Sequence, residues 1–508
     1  MYFIGIDIGT GSTKGVALDK EGKILCSSQV PYPTMNTIPG VSEQDPEIIW
    51  NAFTKCVHRI TSSLTSKLEA ICLSSAMHSV IPVNADGVPL RNMITWADNR
   101  SSDKATLLRN SSAGKSIYEH TGTPIHAMTP LCKIMWLRDS EPHLFRDDTR
   151  FISIKEFVWF RLFGKFEADY SIASATGLFN ITTLDWHEEA LACAGISKTN
   201  LSHPVNTNTI RKNANKEALQ LLGITDDTAF MIGASDGCLA NLGSFATEPG
   251  IAALTIGTSG AIRVGGTVPV VNWDQMTFNY RLSDKMIISG GPINNGGVAL
   301  KWYAQAFLKK KLETREDYEL LLRPIATIRP GADGLIFLPY LLGERAPIWD
   351  SEACGVFFGI TAQHQQEHFT KAVVEGIVFS LYQIANGIQN NGLAIRQIHV
   401  SGGFVRSKLW VQLLADVFGL KVCLINNEDA SAMCAAFMGM KTLGVIEDYG
   451  QLVKEEPESF DPDMDIHMIY RNYIFPLYEH LYKALALEMK IRHENIQVYQ
   501  QSNQLSTK

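Results

Sequence analysis

One pattern occurs twice in this chain, and few folds accommodate it. In Tyr2-Phe3-Ile4-Gly5-Ile6-Asp7-Ile8 the residues Tyr2, Ile4, Ile6 and Ile8 alternate, as one face of a strand does. Gly9, Thr10, Gly11, Ser12 and Thr13 follow as a tight turn of small, mostly hydroxyl-bearing residues, and Val16-Ala17-Leu18 opens a second strand. Near the middle of the chain, Ile251–Ile256 runs into Gly257-Thr258-Ser259-Gly260 and out again through Ala261–Val264. Such a hairpin tip offers backbone N–H groups, hydroxyls and, at Lys14, a cation. It suits a phosphate. Asp7 stands at a strand end, where a bare buried carboxylate would be costly, and it suits the Mg²⁺ that rides with nucleotide phosphates. The plain alternative is an ordinary glycine-rich hairpin. Two such hairpins, one opening each half, predict a duplicated α/β fold closing on one nucleotide.

Commoner nucleotide motifs do not apply. Gly114-Lys115-Ser116 has Arg109 where a Walker A loop needs glycine. A dinucleotide fingerprint should open a helix, whereas Gly15-Val16-Ala17-Leu18 reads as strand. The His-Arg-Asp and Asp-Phe-Gly pair of protein kinases is absent. At 508 residues the chain is too long for one core, so two domains are the default and a third stays open; the resemblance described below divides the chain at 1–245 and 246–508. A net charge of −7 with no Lys/Arg block argues against nucleic acid or an anionic membrane as partner. Nine cysteines, odd in number and never spaced C-x-x-C, fit free thiols in a reducing compartment. No apolar run approaches a membrane span. The N-terminus carries Asp7 inside its apolar run with no basic start, which argues against a signal peptide. A cytoplasmic protein is expected.

Further along, Pro31, Pro33, Pro39 and Pro46 mark a loop, and Ile49, Phe53, Val57 and Ile60 share a helix face. Ala70–Leu73 is a short buried strand running into Ser74-Ser75-Ala76-Met77-His78-Ser79, at the strand end where open α/β sheets place ligands. Trp96-Ala97-Asp98-Asn99-Arg100 sets an aromatic plate, an acceptor and a fork donor within five residues. His78 is either a satisfied core residue or a substrate ligand; its place after a strand favours the ligand. The polar islands 152–158 and 169–174 read as capping and surface duty. Phe230–Asp236 is a strand ending in a second carboxylate, followed by Gly237. Ile287-Ile288 leads into a glycine-rich turn through Gly290, Gly291, Gly296 and Gly297. Residues 338–347 form a loop with a Glu344-Arg345 ion pair at its tip. Ile398–Ser401 then Gly402-Gly403 is a strand and a candidate adenine shelf, since glycine lets a flat ring lie against the backbone. Beyond about Arg492 the chain turns polar and is expected to fray.

Together these residues resemble the FGGY carbohydrate kinases, of the actin, heat-shock-chaperone and sugar-kinase ATPase superfamily. Asp7-Ile8-Gly9-Thr10 with Lys14 is similar to the first phosphate element, Gly257-Thr258-Ser259-Gly260 to the second, and Ser401-Gly402-Gly403-Phe404 to the adenosine element. Met128-Thr129-Pro130 with Lys133–Leu137 resembles one family signature, Ser140 departing at its end. Gly355–Ile360, His368-Phe369 and Ala372–Glu375 resemble the other. Within the family, residues 74–79, 94–100 and 171–177 look like the gluconate kinase branch; xylulose kinases usually show Gln-Met-His-Gly where this chain has Ala76-Met77-His78-Ser79.

The resemblance implies two actin-like, ribonuclease H-like lobes with a nucleotide and sugar cleft between them, and transfer of the ATP γ-phosphoryl group to gluconate, or alternatively to xylulose or another open-chain polyol. It implies Asp236 as general base and Asp7, with Asp236, at Mg²⁺. Gly9, Thr10, Gly11, Ser12, Lys14, Gly257, Thr258, Ser259, Gly296, Gly402, Gly403 and Ser407 would hold the nucleotide. Met77, His78, Trp96, Asp98, Arg100 and Asp236 would line the sugar site, and the Arg100 fork could also meet a substrate carboxylate. A homodimer stays open. A chaperone ATPase would need a peptide-binding β domain, and an actin-like filament subunit would not need the Trp96–Arg100 cluster. A sugar-binding regulator that had lost catalysis would lack Asp7 or Asp236.

Overall fold

A computed structural model describes residues 1–246, 248–425, 430–452 and 457–506. The chain forms two compact α/β units. One comprises Met1–Glu248, Gly265–Ser289 and Asn427–Glu456; the other comprises Pro249–Val264, Gly290–Asn426 and Pro457–Lys508.

The first unit is built on β1 (Tyr2–Ile8), β2 (Ser12–Leu18), β3 (Ile24–Pro31), β4 (Leu68–Ser75), β5 (Ile210–Arg211) and β6 (Ala229–Ser235), in sheet order β5-β6-β4-β1-β2-β3. β1 turns tightly into antiparallel β2 but lies parallel to β4, which lies parallel to β6. Three parallel strands therefore end on one edge. Both faces of β1 are covered, so its apolar residues are buried on either side of the sheet. Tyr2, Ile4, Ile6 and Ile8 pack with Ile49, Trp50, Phe53, Val57 and Ile60 of the helix Pro46–Thr61. Phe3 packs on the other side with Ala432, Ala436 and Met440 of the helix Ala430–Thr442. Pro46, read as loop, is the first residue of its helix, where its missing N–H costs nothing and Asp45 caps the next turn.

The second unit repeats the motif. Its strands β7 (Ile251–Ile256), β8 (Gly260–Gly266), β9 (Ile287–Ile293), β10 (Gln397–Ser401), β11 (Lys421–Leu424) and β12 (Ser459–Phe460) run β9-β8-β7-β10-β11-β12. Again an antiparallel hairpin, β7–β8, has a parallel neighbour, β10. The buried helix Gln366–Asn390 meets the C-terminal helix Phe475–Ser506, where the Ser380 hydroxyl lies 2.8 Å from Tyr478 Oη.

Three expectations are corrected. β9 continues through Gly290 and Gly291 to Ile293, so the glycine-rich turn begins only at Asn294. The polar segment after Arg492 stays helical rather than fraying. The islands at 152–158 and 169–174 do cap helices, through Ser153 and Asp169, but they are not surface: Lys155, Glu156 and Asp169 are all buried. No helix among the described residues is long and apolar enough to cross a membrane.

Candidate active site

The first hairpin is fastened from several sides. Gly9 N donates to Ser12 O at 3.1 Å and closes the tip. Tyr32 Oη donates to Gly9 O at 2.5 Å, and Gln44 Nε2 donates to Thr10 O at 2.6 Å. Trp96 Nε1 donates to the Thr10 hydroxyl at 2.9 Å. Ser12 Oγ accepts from Gln29 Nε2 at 2.8 Å, on the side of β3. Tyr32 and Gln44 carried no sequence signal. Their partners lie 23 and 34 residues away, and neither falls in a motif.

The two carboxylates flank one strand end. Asp7 pairs in register with Ser74 of β4, and Ser235, just before Asp236, pairs with Ser75. With strands spaced about 4.8 Å, their backbones stand about 10 Å apart across β4. Asp7 Oδ1 accepts from Ser74 Oγ at 2.8 Å, and Lys14 lies opposite Asp7 on β2. Asp236 is the first residue of the helix Asp236–Gly243, capped by Ser235. Among the described residues no three His, Cys, Asp or Glu side chains cluster as a metal cage. Asp7 and Asp236 themselves offer two carboxylates at this strand edge, a donor set that suits Mg²⁺, which takes one or two carboxylates and completes its shell with phosphate oxygens and water.

Met77 and His78 follow β4 directly, at the same edge. His78 holds a left-handed backbone (φ 66°) and is 7% exposed. Its Nδ1 lies 2.8 Å from Ala175 O and its Nε2 3.3 Å from Tyr280 Oη. Its carbonyl accepts from Lys133 Nζ at 2.6 Å, and Lys133 also reaches Met128 O at 2.8 Å. Burial pulls the Lys133 ammonium down to about 7. The contacts of Lys133 and Tyr280 with His78 carried no sequence signal of their own, although Lys133 lies inside a quoted family signature.

Trp96 is 40% exposed, whereas Asp98 is buried. Asp98 accepts from Ser42 N at 2.9 Å and from both Nε and Nη2 of Arg100. Arg100 Nη2 also reaches Glu43 at 2.5 Å, and its guanidinium lies 4.5 Å from the Trp136 ring. Two carboxylates thus already occupy the Arg100 fork. A substrate carboxylate would have to compete with both, which weighs against that role.

In the second unit the hairpin is braced by main chain. Gly257 N donates to Ser259 O at 2.8 Å, Gly297 N to Gly257 O at 2.7 Å, and Val298 N to Thr258 O at 3.1 Å. A Cβ at Gly296 would meet Ser259 O at 2.5 Å, so only glycine lets this turn approach. Behind it, Glu344 is no exposed loop tip: it is buried, and it accepts from Asn294 N, from Asn295 Nδ2 at 3.0 Å and from Arg345 N at 2.9 Å. Burial raises its carboxyl. Gly402 sits at φ 108°, with Ile256 O 2.5 Å from where a Cβ would be. Its glycine is required by packing on β7, whereas Gly403 has open space on its side-chain face. The Ser407 hydroxyl caps the helix Lys408–Phe418.

The family model "FGGY family of carbohydrate kinases, N-terminal domain" matches residues 2–243, and the C-terminal domain model of the same family matches residues 252–443. The Bacillus subtilis gluconokinase is 40% identical over 456 residues, covering 88% of this chain and 89% of that protein. Two solved Lactobacillus acidophilus structures, one described as gluconate kinase and one as ligand-bound xylulose kinase, each superpose with a TM-score of 0.89 at 36% identity, covering 96% of this chain and 98% of theirs.

Proposed function

Because the chain belongs to the FGGY family of carbohydrate kinases, we propose that it transfers the γ-phosphoryl group of ATP to the terminal primary hydroxyl of D-gluconate, giving 6-phospho-D-gluconate and ADP. The observation that carries the choice of gluconate is the 40% identity to a gluconokinase over most of both chains. The second reading is xylulose as acceptor, favoured by the equal likeness to a structure described as a xylulose kinase.

In phosphoryl transfer most of the catalysis is positioning and charge stabilisation. Asp236 accepts the proton of the attacking hydroxyl as the new O–P bond forms and the bond to ADP breaks. Asp7, with Asp236, would hold Mg²⁺, which would supply charge neutralisation to the phosphoryl group being transferred. Thr10, Gly11, Thr258 and Ser259 cradle phosphate oxygens, and Lys14 meets charge near the γ-phosphate. Met77, His78 and Trp96 face the sugar. Asp98 and Arg100 stiffen its wall. Gly296, Gly402 and Gly403 shape the nucleotide side. The reading places the reaction in the cytoplasm and requires neither nucleic acid nor membrane.

The test is an ADP-release assay with Mg²⁺-ATP across gluconate, xylulose, ribulose, glycerol and fuculose. Turnover on gluconate above all others is expected. Preference for xylulose would keep the chemistry and change the acceptor. The Asp236→Asn variant should lose about 10²–10⁴-fold in kcat while still binding ATP; near-normal kcat would remove Asp236 from the role of base.

A further inference from the structure

Behind Asp236 lies a buried chain of polar contacts. Lys155 Nζ donates to Asp169 Oδ2 at 2.8 Å, and each side chain is 1% exposed. The other oxygen, Oδ1, accepts from Ser171 N at 3.0 Å, from Ile172 N at 3.2 Å and from the Ser171 hydroxyl. Ser171 Oγ in turn accepts from Ser235 N at 2.7 Å. Ser235 ends β6 and caps the helix that Asp236 opens.

The direction of these bonds matters. A hydroxyl has one proton and two lone pairs. With its proton committed to Asp169, Ser171 Oγ can only accept from Ser235, so the orientation of the Ser235 peptide is set from behind. The ion pair fixes which Asp169 oxygen faces Lys155 and which faces Ser171. Burying two charges is expensive, and an apolar pair of similar volume often serves stability as well or better. A cap for the four-residue helix Tyr170–Ala173 needs an acceptor at Asp169 but no buried lysine.

We infer that Lys155, Asp169 and Ser171 are positioning residues for Asp236, acting through the Ser235 peptide. This rests on the reading of Asp236 as general base. The carboxylate must meet a hydroxyl at hydrogen-bond distance, and displacements of about 1 Å in such geometry can cost 10²-fold in rate. The relay holds the Ala234–Ser235 peptide, the last one within β6, directly before the residue that carries the base on its C-terminal side.

Ser171→Ala tests this against Ser174→Ala. Ser174 is equally buried; its hydroxyl accepts from Arg281 N at 2.8 Å rather than from Ser235, and donates to the Ser171 main-chain carbonyl at 3.2 Å. Both variants leave one buried N–H without its partner, so a purely structural role makes them alike. Kinetics are measured with Mg²⁺-ATP and the best acceptor of the panel, beside melting temperatures and Asp236→Asn. Ser171→Ala should lower kcat at least tenfold with both KM values within twofold, while Ser174→Ala keeps kcat within twofold at a comparable melting temperature. Equal kcat losses in the two variants, or a Ser171→Ala loss confined to KM, would overturn the inference. If Ser171→Ala does not fold, Ser171→Cys, which fills the space with a weak acceptor, should show the same split. An unchanged kcat there overturns the inference equally. Inactive Asp236→Asn with normal Ser171→Ala would remove only the positioning role, whereas active Asp236→Asn would remove the base itself.

Discussion

The two hairpins share a sequence pattern and are held in different ways. The first, at Gly9–Ser12, is gripped by side chains: Tyr32, Gln44 and Trp96 each bond its backbone or its threonine. The second, at Gly257–Gly260, is braced by main chain from Gly297 and Val298, with Gly296 permitting the approach. A side-chain grip can be tuned one residue at a time. A backbone brace responds only to changes that alter chain geometry. The first hairpin is therefore open to single-residue tuning through Tyr32, Gln44 and Trp96, whereas the second answers to the chain geometry around Gly296.

The strongest way to break this comparison is Gly296→Ala. The added Cβ meets Ser259 O at 2.5 Å, and overpacking of this kind costs about 1–3 kcal/mol. The KM for ATP should rise about tenfold or more, with the acceptor KM within twofold. An unchanged ATP KM would show that the brace moves freely. Trp96→Phe should do less and on the other side: losing one hydrogen bond to Thr10 costs about 1 kcal/mol, so kcat/KM for the acceptor should fall about fivefold while ATP binding is kept. A fall in ATP binding alone would erase the distinction between the hairpins.

The smallest effect concerns stability and sets the units against each other. In the second unit burial pushes the Glu375 carboxyl up to about 7; its Oε1 accepts from Tyr470 Oη at 2.7 Å and Gly331 N at 3.0 Å. The folded state then binds more protons than the unfolded between about pH 4.5 and 7, so stability from this group is lost as pH rises through that window. Glu375→Gln should gain on the parent more at pH 8 than at pH 5 in chemical denaturation. Lys133 in the first unit has the opposite sign: held near 7, it makes stability rise with pH between about 7 and 10.5. A Glu375→Gln gain independent of pH would mean that the carboxyl does not titrate in this range.

Much of the site was legible where function and local geometry coincide. Asp7, the Gly9–Thr13 turn, Asp236 and the Gly257–Gly260 turn each lie where a strand ends, and the period-two alternation of the strands marks those ends. The residues that hold them were not legible. Tyr32 follows β3 directly, and Glu43 and Gln44 make a strand of only two residues paired with Met93–Ile94, too short to show a period. Lys155 and Asp169 read as surface residues, because charged side chains are almost never fully buried unless paired, and the pair is 14 residues apart.

By itself the sequence determined the duplicated strand–turn–strand pattern, the α/β class, the family and the carboxylates at the two strand ends. The pattern, the class and the carboxylates follow from local rules: alternation, turn chemistry, and the need of a strand-end carboxylate for a partner; the family follows from the resemblance of whole motifs. Tertiary structure alone decided that Arg100 faces Asp98 and Glu43, that Lys133 fixes the backbone of His78, and that the Ser171 hydroxyl meets the Ser235 peptide 64 residues away. Hydrogen bonds act over about 3 Å, and which distant residues come that close is settled only when the sheets and helices pack.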